Sequence, residues 1–206
     1  MLKIWGRTNS VNVKKVLWCA EELGLDFERI DAGGQFGLVD EPAYRQMNPN
    51  GLVPCIQDGD LVVWESNAIV RYLCAKYGAG VLYAEDPAER AAADKWMDWT
   101  TSTFAVPFRA IFWNLVRIPT AQRDIQAIDD GLETCTKLLP RVDEALAERP
   151  FLSGSRFGMG DIPLGCFAYL WFELPIERPA LPNLDAWYQR LTTRPAYRKQ
   201  VMIPVT

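Results

Sequence analysis

The pattern of this chain changes after residue 78, and no other feature constrains its fold as strongly. Short strand patterns alternate with helical ones up to that point, whereas only long helical patterns follow Gly80. A chain of 206 residues can bury a substantial core without disulfides or metals. We therefore expect an α/β domain over residues 1–80, a linker at 79–86, and an all-helical domain over 86–206.

The α/β part reads as βαβαββα, because runs of β-branched and apolar residues alternate with apolar residues spaced by three and four. The second part is predicted to be helical throughout. Apolar residues from Ile125 to Leu146 are spaced by three and four, which predicts one long amphipathic helix. The predicted elements of the first part lie at residues 2–5, 13–23, 27–30, 42–47, 53–56, 61–63 and 69–77.

The charge of the chain excludes several classes of partner. There are 22 basic and 26 acidic residues, spread evenly between the two parts, so no basic face is expected for nucleic acid or anionic lipid. The longest uncharged apolar run, Ile162–Phe172, is too short to span a membrane. The first residues lead directly into a strand pattern without a signal-peptide core. We expect a cytoplasmic protein that binds neither nucleic acids nor membranes.

The chain contains no histidine, which removes the central residue of Ser-His-Asp and Cys-His catalytic groups and of most zinc sites. Its five cysteines include no C-x-x-C pair. We therefore expect buried, reduced cysteines and no metal. An enzyme of this sequence must use a different base or a nucleophile that needs none.

Val53-Pro54 is unusual because proline inside a strand pattern removes a hydrogen-bond donor from the sheet. A cis peptide before Pro54 would present the backbone N–H and C=O of Val53 to a ligand, and an extended peptide would suit them. The alternative is a trans proline in an edge strand.

Glu65-Ser66 stands immediately before a predicted helix. Ser66 is suited to cap that helix, and the unpaired N–H groups of its first turn could bind a carboxylate. Glu65 beside them could pair with an ammonium, so that together they would hold an amino-acid head group. The alternative is that both residues serve the helix alone.

Residues 48–54, Asn-Pro-Asn-Gly-Leu-Val-Pro, followed by Glu65-Ser66 within a βαβαββα pattern, resemble the thioredoxin-like domain of cytosolic glutathione S-transferases. The all-helical second half is similar too, including residues 157–161 at the start of a buried helix and the closing residues 194–196. The resemblance implies the two-domain fold of that family, glutathione as the co-substrate, and a homodimer with two-fold symmetry.

The resemblance also implies residue roles. Ser10 matches the serine of theta-like members, and Ser10-x-Asn12 is similar to the motif of bacterial Nu-like members, where such groups donate hydrogen bonds to the glutathione thiolate. Without the resemblance, Ser10 and Asn12 would read as ordinary turn residues. The glutathione-binding residues it implies are Gln35, Val53, Pro54, Glu65 and Ser66.

Some positions depart from the family pattern. Leu52 stands where many relatives carry a lysine for the glycyl carboxylate of glutathione, so Gln35 is expected to take over that contact. Gly158 replaces the usual serine or threonine before Asp161, which leaves half of a helix-capping box. Pro107 is expected to kink the helix that faces the cleft.

That helix is expected to carry the site for a hydrophobic electrophile, although core packing is an equally good explanation for its aromatic residues. Its candidate binding residues are Phe104, Phe108, Arg109 and Trp113.

The leading interpretation is thus a glutathione transferase that adds the glutathione thiolate to a hydrophobic electrophile. One alternative is a glutathione-dependent reductase of disulfides or peroxides. Another is a non-catalytic binding or assembly module that keeps the fold.

Overall fold

A four-stranded mixed sheet forms the centre of the N-terminal domain in the computed structural model, which describes all 206 residues. Its strands lie in the order β2-β1-β3-β4; β1 is parallel to β2 and antiparallel to β3, and β3 is antiparallel to β4. The elements of this domain are β1 (Leu2–Trp5), α1 (Val11–Glu22), β2 (Phe27–Ile30), α2 (Pro42–Met47), β3 (Cys55–Asp58), β4 (Leu61–Trp64) and α3 (Ser66–Tyr77).

Alternate residues of the strands face two different cores, as the pleat of a sheet requires. Ile4 and Ile56 are paired across β1 and β3 and are fully buried in the main core with α1 and α3. Trp5 and Cys55 point the other way and form a small core with Tyr44 of α2. The sequence prediction of a thioredoxin-like βαβαββα domain is confirmed.

The predicted start of β3 was two residues too early. Pairing begins at Cys55, opposite Trp5, and the peptide bond between Val53 and Pro54 is cis. Proline has no N–H to give to the ladder, so the strand begins after it.

Helices alone build the second domain. They are α4 (Pro87–Trp99), α5 (Ala105–Phe112), α6 (Ile125–Leu138), α7 (Pro140–Ala147), α8 (Ile162–Glu173), α9 (Pro182–Thr192) and α10 (Pro195–Gln200). Wide π turns at Thr100–Phe104 and Trp113–Arg117 flank α5. Pro107 lies just after the first of these turns, where the wider winding accommodates its missing N–H.

The single long helix predicted from Ile125 to Leu146 is wrong. The structure divides it at Leu139 into α6 and α7, and Pro140 is the first residue of the second helix. Proline cannot donate the next hydrogen bond of the first helix, but it is well tolerated at a helix start. The apolar spacing continues across the break and concealed it.

Asp161 organises the start of α8, whose residues 162–171 are all buried. Its carboxylate accepts hydrogen bonds from the backbone N–H groups of Leu152, Ser153 and Gly158 and from Nε1 of Trp187. The Gly158 bond is the half of the capping box that the sequence predicted. Burial raises the pKa of this carboxyl group, and the hydrogen bonds oppose that shift.

Helix α1 joins the two domains. Within it, Trp18 is fully buried and packs edge-on against Tyr197 of α10 and beside Phe157. A Cβ atom on Gly165 of α8 would lie 2.7 Å from the Trp18 ring, so only glycine allows the approach of α8 to α1. None of the helices combines the length and the apolar character that crossing a membrane would require.

We expect Asp161→Ala to lower the free energy of unfolding by about 3 kcal/mol or more, because it leaves several buried donors without an acceptor. Urea unfolding would measure the change. As a control, Asp124→Ala removes an exposed cap that accepts one bond from Ala127, and should cost about 1 kcal/mol. Equal losses in the two variants would contradict the structural role given to Asp161.

Candidate functional site

A cleft of about 620 Å³ lies between the two domains. One side is formed by the loop after β1, the start of α1 and the loops that precede α2 and β3. The other side is formed by one face of α5 with its flanking π turns, and by α8. Of the residues that the sequence singled out, those on its surface are Ser10, Asn12, Val53, Phe108, Arg109 and Trp113.

Ser10 occupies the position just before α1, yet its hydroxyl makes no capping hydrogen bond. Its backbone C=O accepts the first hydrogen bond of the helix from Lys14, and its half-buried side chain faces the cleft. The hydroxyl is therefore a free donor beside the N–H groups of a helix start, which favour a negative charge.

Asn12 is connected to a buried lysine through Ser66. Lys15 Nζ donates to Ser66 Oγ at 3.4 Å, and Ser66 Oγ donates to Asn12 Oδ1 at 3.3 Å. These bonds use the amide oxygen of Asn12, which lines the cleft, and leave its Nδ2 as a free donor. Three side chains from two helices thus form one directed series of hydrogen bonds.

Lys15 was missed by the sequence reasoning. It lines the cleft but is only 1 % exposed, and burial lowers the pKa of its ammonium to about 8. Its Nζ lies 5.5 Å from the centre of the Phe167 ring and forms no ion pair. The sequence did contain a signal. Lys14 and Lys15 stand between Val13 and Val16 in a largely apolar helix. A helix that apolar is packed on more than one side, so at least one of the two lysines is expected to be buried.

Val53 offers an unpaired backbone to the cleft, because no hydrogen bond within the protein involves its N–H or C=O. The preceding residue is held firmly: the Leu52 carbonyl accepts from the Tyr44 hydroxyl at 2.6 Å and from Asn48 Nδ2 at 2.8 Å. Pro54 is buried behind Val53 and does not line the cleft. The segment can therefore pair with an extended peptide, as the sequence suggested.

Glu65 and Ser66 lie next to the cleft without lining it. Glu65, not Ser66, stands before the first residue of α3, so the prediction that Ser66 caps this helix is wrong. The Ser66 hydroxyl points to Asn12 instead. Glu65 has φ 72°, a left-handed conformation that side chains rarely adopt and that is commonest at functional sites.

Gln35 is exposed on the short turn Gly34–Phe36 and does not line the cleft. The neighbouring Gly33 and Gly34 do, and Arg7 lies against them: a Cβ atom on Gly33 would be 3.1 Å from an Arg7 guanidinium nitrogen. Arg7 is thus the cation beside this loop, and the sequence reasoning did not identify it.

Phe104 does not belong to the cleft surface. Both Phe104 and Phe108 are only 1 % exposed and their rings stack with centroids 5.5 Å apart, but of the two only Phe108 lines the cleft. Phe108 faces the cleft from the same helix, and exposed Arg109 lies over the Trp113 ring at 5.8 Å. Phe104 therefore supports the aromatic wall from behind.

The helical wall presents every fourth residue to the cleft from Thr101 to Arg117. Arg117 lies at its end, 5.7 Å from the Phe112 ring centre. Across the cleft, burial and then the positive charge of Arg117 lower the pKa of the Arg7 guanidinium. The sequence reasoning did not identify Arg117.

Cys55, which follows the cis proline, lies outside the cleft surface and is fully buried. Burial raises the pKa of its thiol to about 11, so the group is protonated near neutral pH. All five cysteines are buried and free. Cys55 is therefore not placed to act as a nucleophile in this cleft.

Comparison with known proteins gives the same outline. Residues 1–75 match the model of the glutathione S-transferase N-terminal domain, and residues 93–195 match that of the C-terminal domain. Glutathione S-transferase GstB of Escherichia coli K12 is 49 % identical over 208 aligned residues, covering 100 % of both chains.

Two solved structures extend the comparison. A theta class glutathione S-transferase from Xanthomonas axonopodis pv. citri with glutathione bound is 60 % identical, with a TM-score of 0.97 over 100 % of this chain and 99 % of that one. Glutathione transferase F7 from Populus trichocarpa is 25 % identical, with a TM-score of 0.87 over 98 % of each chain. With both domain models matched in order and relatives aligned over the full length, this chain belongs to the glutathione S-transferase family.

Proposed function

We propose that this protein binds glutathione in the cleft between its domains and transfers the thiolate sulfur to a hydrophobic electrophile. The observation that carries the proposal is the pair of free donors, Ser10 Oγ and Asn12 Nδ2, opposite an aromatic wall. This arrangement fits a sulfur anion on one side and an apolar acceptor on the other.

Glutathione would lie along the unpaired backbone of Val53, next to Pro54. Its γ-glutamyl end would meet the first turn of α3, where free backbone N–H groups, including that of Ser66, suit its carboxylate and Glu65 suits its ammonium. Its glycyl carboxylate would lie by the loop that holds Gln35, where Arg7 is the nearest cation. Arg7 thus supplies the charge that Leu52 lacks.

The reaction requires a thiolate, and a free thiol with a pKa of about 8.5 is mostly protonated at neutral pH. Hydrogen bonds from Ser10 and Asn12, the start of α1 and the buried charge of Lys15 all favour the anion. The sulfur lone pair then forms a bond to carbon, either displacing a halide or adding to an activated double bond. No histidine is needed, because the nucleophile is already deprotonated.

The function can be tested by assaying the purified protein with glutathione and chlorodinitrobenzene and, separately, with hydroxyethyl disulfide. We expect conjugation with the first acceptor. Activity with the disulfide alone would favour the reductase alternative, and no binding of millimolar glutathione would favour a non-catalytic module.

Ser10→Ala and Asn12→Ala should each raise the pKa of the bound glutathione thiol and lower kcat/KM by roughly tenfold or more, as expected for a lost hydrogen bond to an anion. Thiolate absorbance followed against pH in the complex measures the pKa. Thr8→Ala changes an exposed hydroxyl in the same turn and serves as the control. The variant with the larger effect identifies the main donor, and no effect in either would refute the roles proposed for both.

Lys15→Met should raise the pKa of the bound thiol without lowering the midpoint of urea unfolding, since methionine fills the space and removes an unpaired buried charge. Lys14→Met is the matched control. Burial also lowers the pKa of Lys14 to about 8, but its Nζ bonds the Val201 carbonyl away from the cleft. Equal thiol pKa values in Lys15→Met and the parent would argue against a role for this charge.

We also propose a cytoplasmic homodimer, with α3 and α4 at the two-fold interface as in the family. Arg71 of α3 bonds Asp94 and Asp98 of α4, which fixes the two helices as one surface. Sedimentation equilibrium should give about twice the chain mass of 23.3 kDa. A mass of one chain at micromolar concentration would contradict the dimer.

A further inference from the structure

The cleft carries more positive charge than glutathione explains. Its surface holds the cations Arg7, Lys15, Arg109 and Arg117, and no aspartate or glutamate. The chain as a whole has a net charge of −4, so this local excess runs against its average. Cations gathered in a cleft repel one another and attract anionic ligands.

The three arginines also lack hydrogen-bond and ion-pair partners within the protein, although Arg109 and Arg117 each lie against an aromatic ring. The guanidinium groups of Arg7, Arg109 and Arg117 donate no hydrogen bond within the protein, and none of them forms an ion pair with a carboxylate. In contrast, Arg194 is held by both oxygens of Glu22 where the domains meet. A guanidinium offers five N–H donors, and those of the cleft arginines remain available to a ligand.

The four cations form two groups on opposite sides of the cleft. Arg7 and Lys15 lie on the N-terminal side, beside the places proposed for the glycyl carboxylate and the thiolate of glutathione. Arg109 and Arg117 lie on the helical wall, with the aromatic Trp113 halfway between them along the chain. Arg109 and Arg117 are therefore not needed to bind the charged groups of glutathione.

We infer that the electrophile is an anion, with an apolar or aromatic body and a carboxylate attracted by the positive charge of Arg109 and Arg117. This inference rests on the proposed function and specifies its acceptor. The body would lie on Phe108, Phe112 and Trp113, while a guanidinium pairs with both oxygens of a carboxylate. A neutral acceptor would leave both guanidiniums without an ion pair.

A matched pair of acceptors tests this inference. One is a chlorodinitrobenzoate with its carboxylate para to the chlorine, and the other is the corresponding carboxamide. In both, the thiolate sulfur forms a bond to the ring carbon and the carbon–chlorine bond breaks, releasing chloride with its electron pair. Dividing each kcat/KM by the uncatalysed rate constant removes the difference in intrinsic reactivity.

We expect the carboxylate to be preferred by about tenfold after this correction, the effect of one good charge-assisted interaction. Arg109→Gln and Arg117→Gln should each bring the ratio towards one by raising KM for the carboxylate acceptor. Arg7→Gln should instead raise KM for glutathione with either acceptor. Arg141→Gln, an exposed arginine of α7 away from the cleft, is the control and should leave the ratio unchanged.

A corrected ratio near one in the parent protein, or a preference that survives both helical-wall variants, would overturn the inference. Calorimetry with the two purified conjugates gives a readout that needs no turnover: the carboxylate conjugate should bind more tightly, and equal affinities would also overturn it. If neither glutathione nor any conjugate binds, both the proposed function and the inference about the acceptor are wrong. If glutathione binds but the carboxylate is not preferred, only the inference about the acceptor is wrong.

Discussion

The burial of α1 between the two domains is the constraint on which the rest of this structure depends. Every residue from Val13 to Ala20 is buried, with α3 on one side and α8 and α10 on the other. Ser10 and Asn12 stand at the start of this helix, and Lys15 lies one turn further on. The packing that stabilises the domain interface therefore also fixes the donors of the site, so that core and site cannot be altered independently.

Electrostatics gives the cleft its second constraint. A site without histidine has few groups that change charge near neutral pH, and here the buried Lys15 is the protein group placed to do so beside the proposed thiolate. A charge in such surroundings acts strongly on neighbouring anions because little water screens it.

Much of this architecture was predictable, since strand and helix periodicity, the proline after Val53 and the Glu65-Ser66 pair depend on local chemistry. The failures have physical reasons. The break at Leu139 is hidden because apolar spacing continues through it, and β3 begins late because its proline cannot pair. Lys15 and Phe104 depend on which neighbours cover a helix, and that is decided by tertiary packing rather than by spacing along the chain.

The two π turns beside α5 determine which way the helical wall faces. In a regular α-helix a step of four residues rotates about 40° beyond a full turn, so the four steps from Thr101 to Arg117 would drift by about 160°. Wider turns use more residues for each revolution and cancel part of that drift, which keeps these side chains on one line. If residues 100–104 wound instead as a regular α-helix, everything beyond them would be rotated away from this line. The winding of this segment, as much as its aromatic content, thus decides what an acceptor meets.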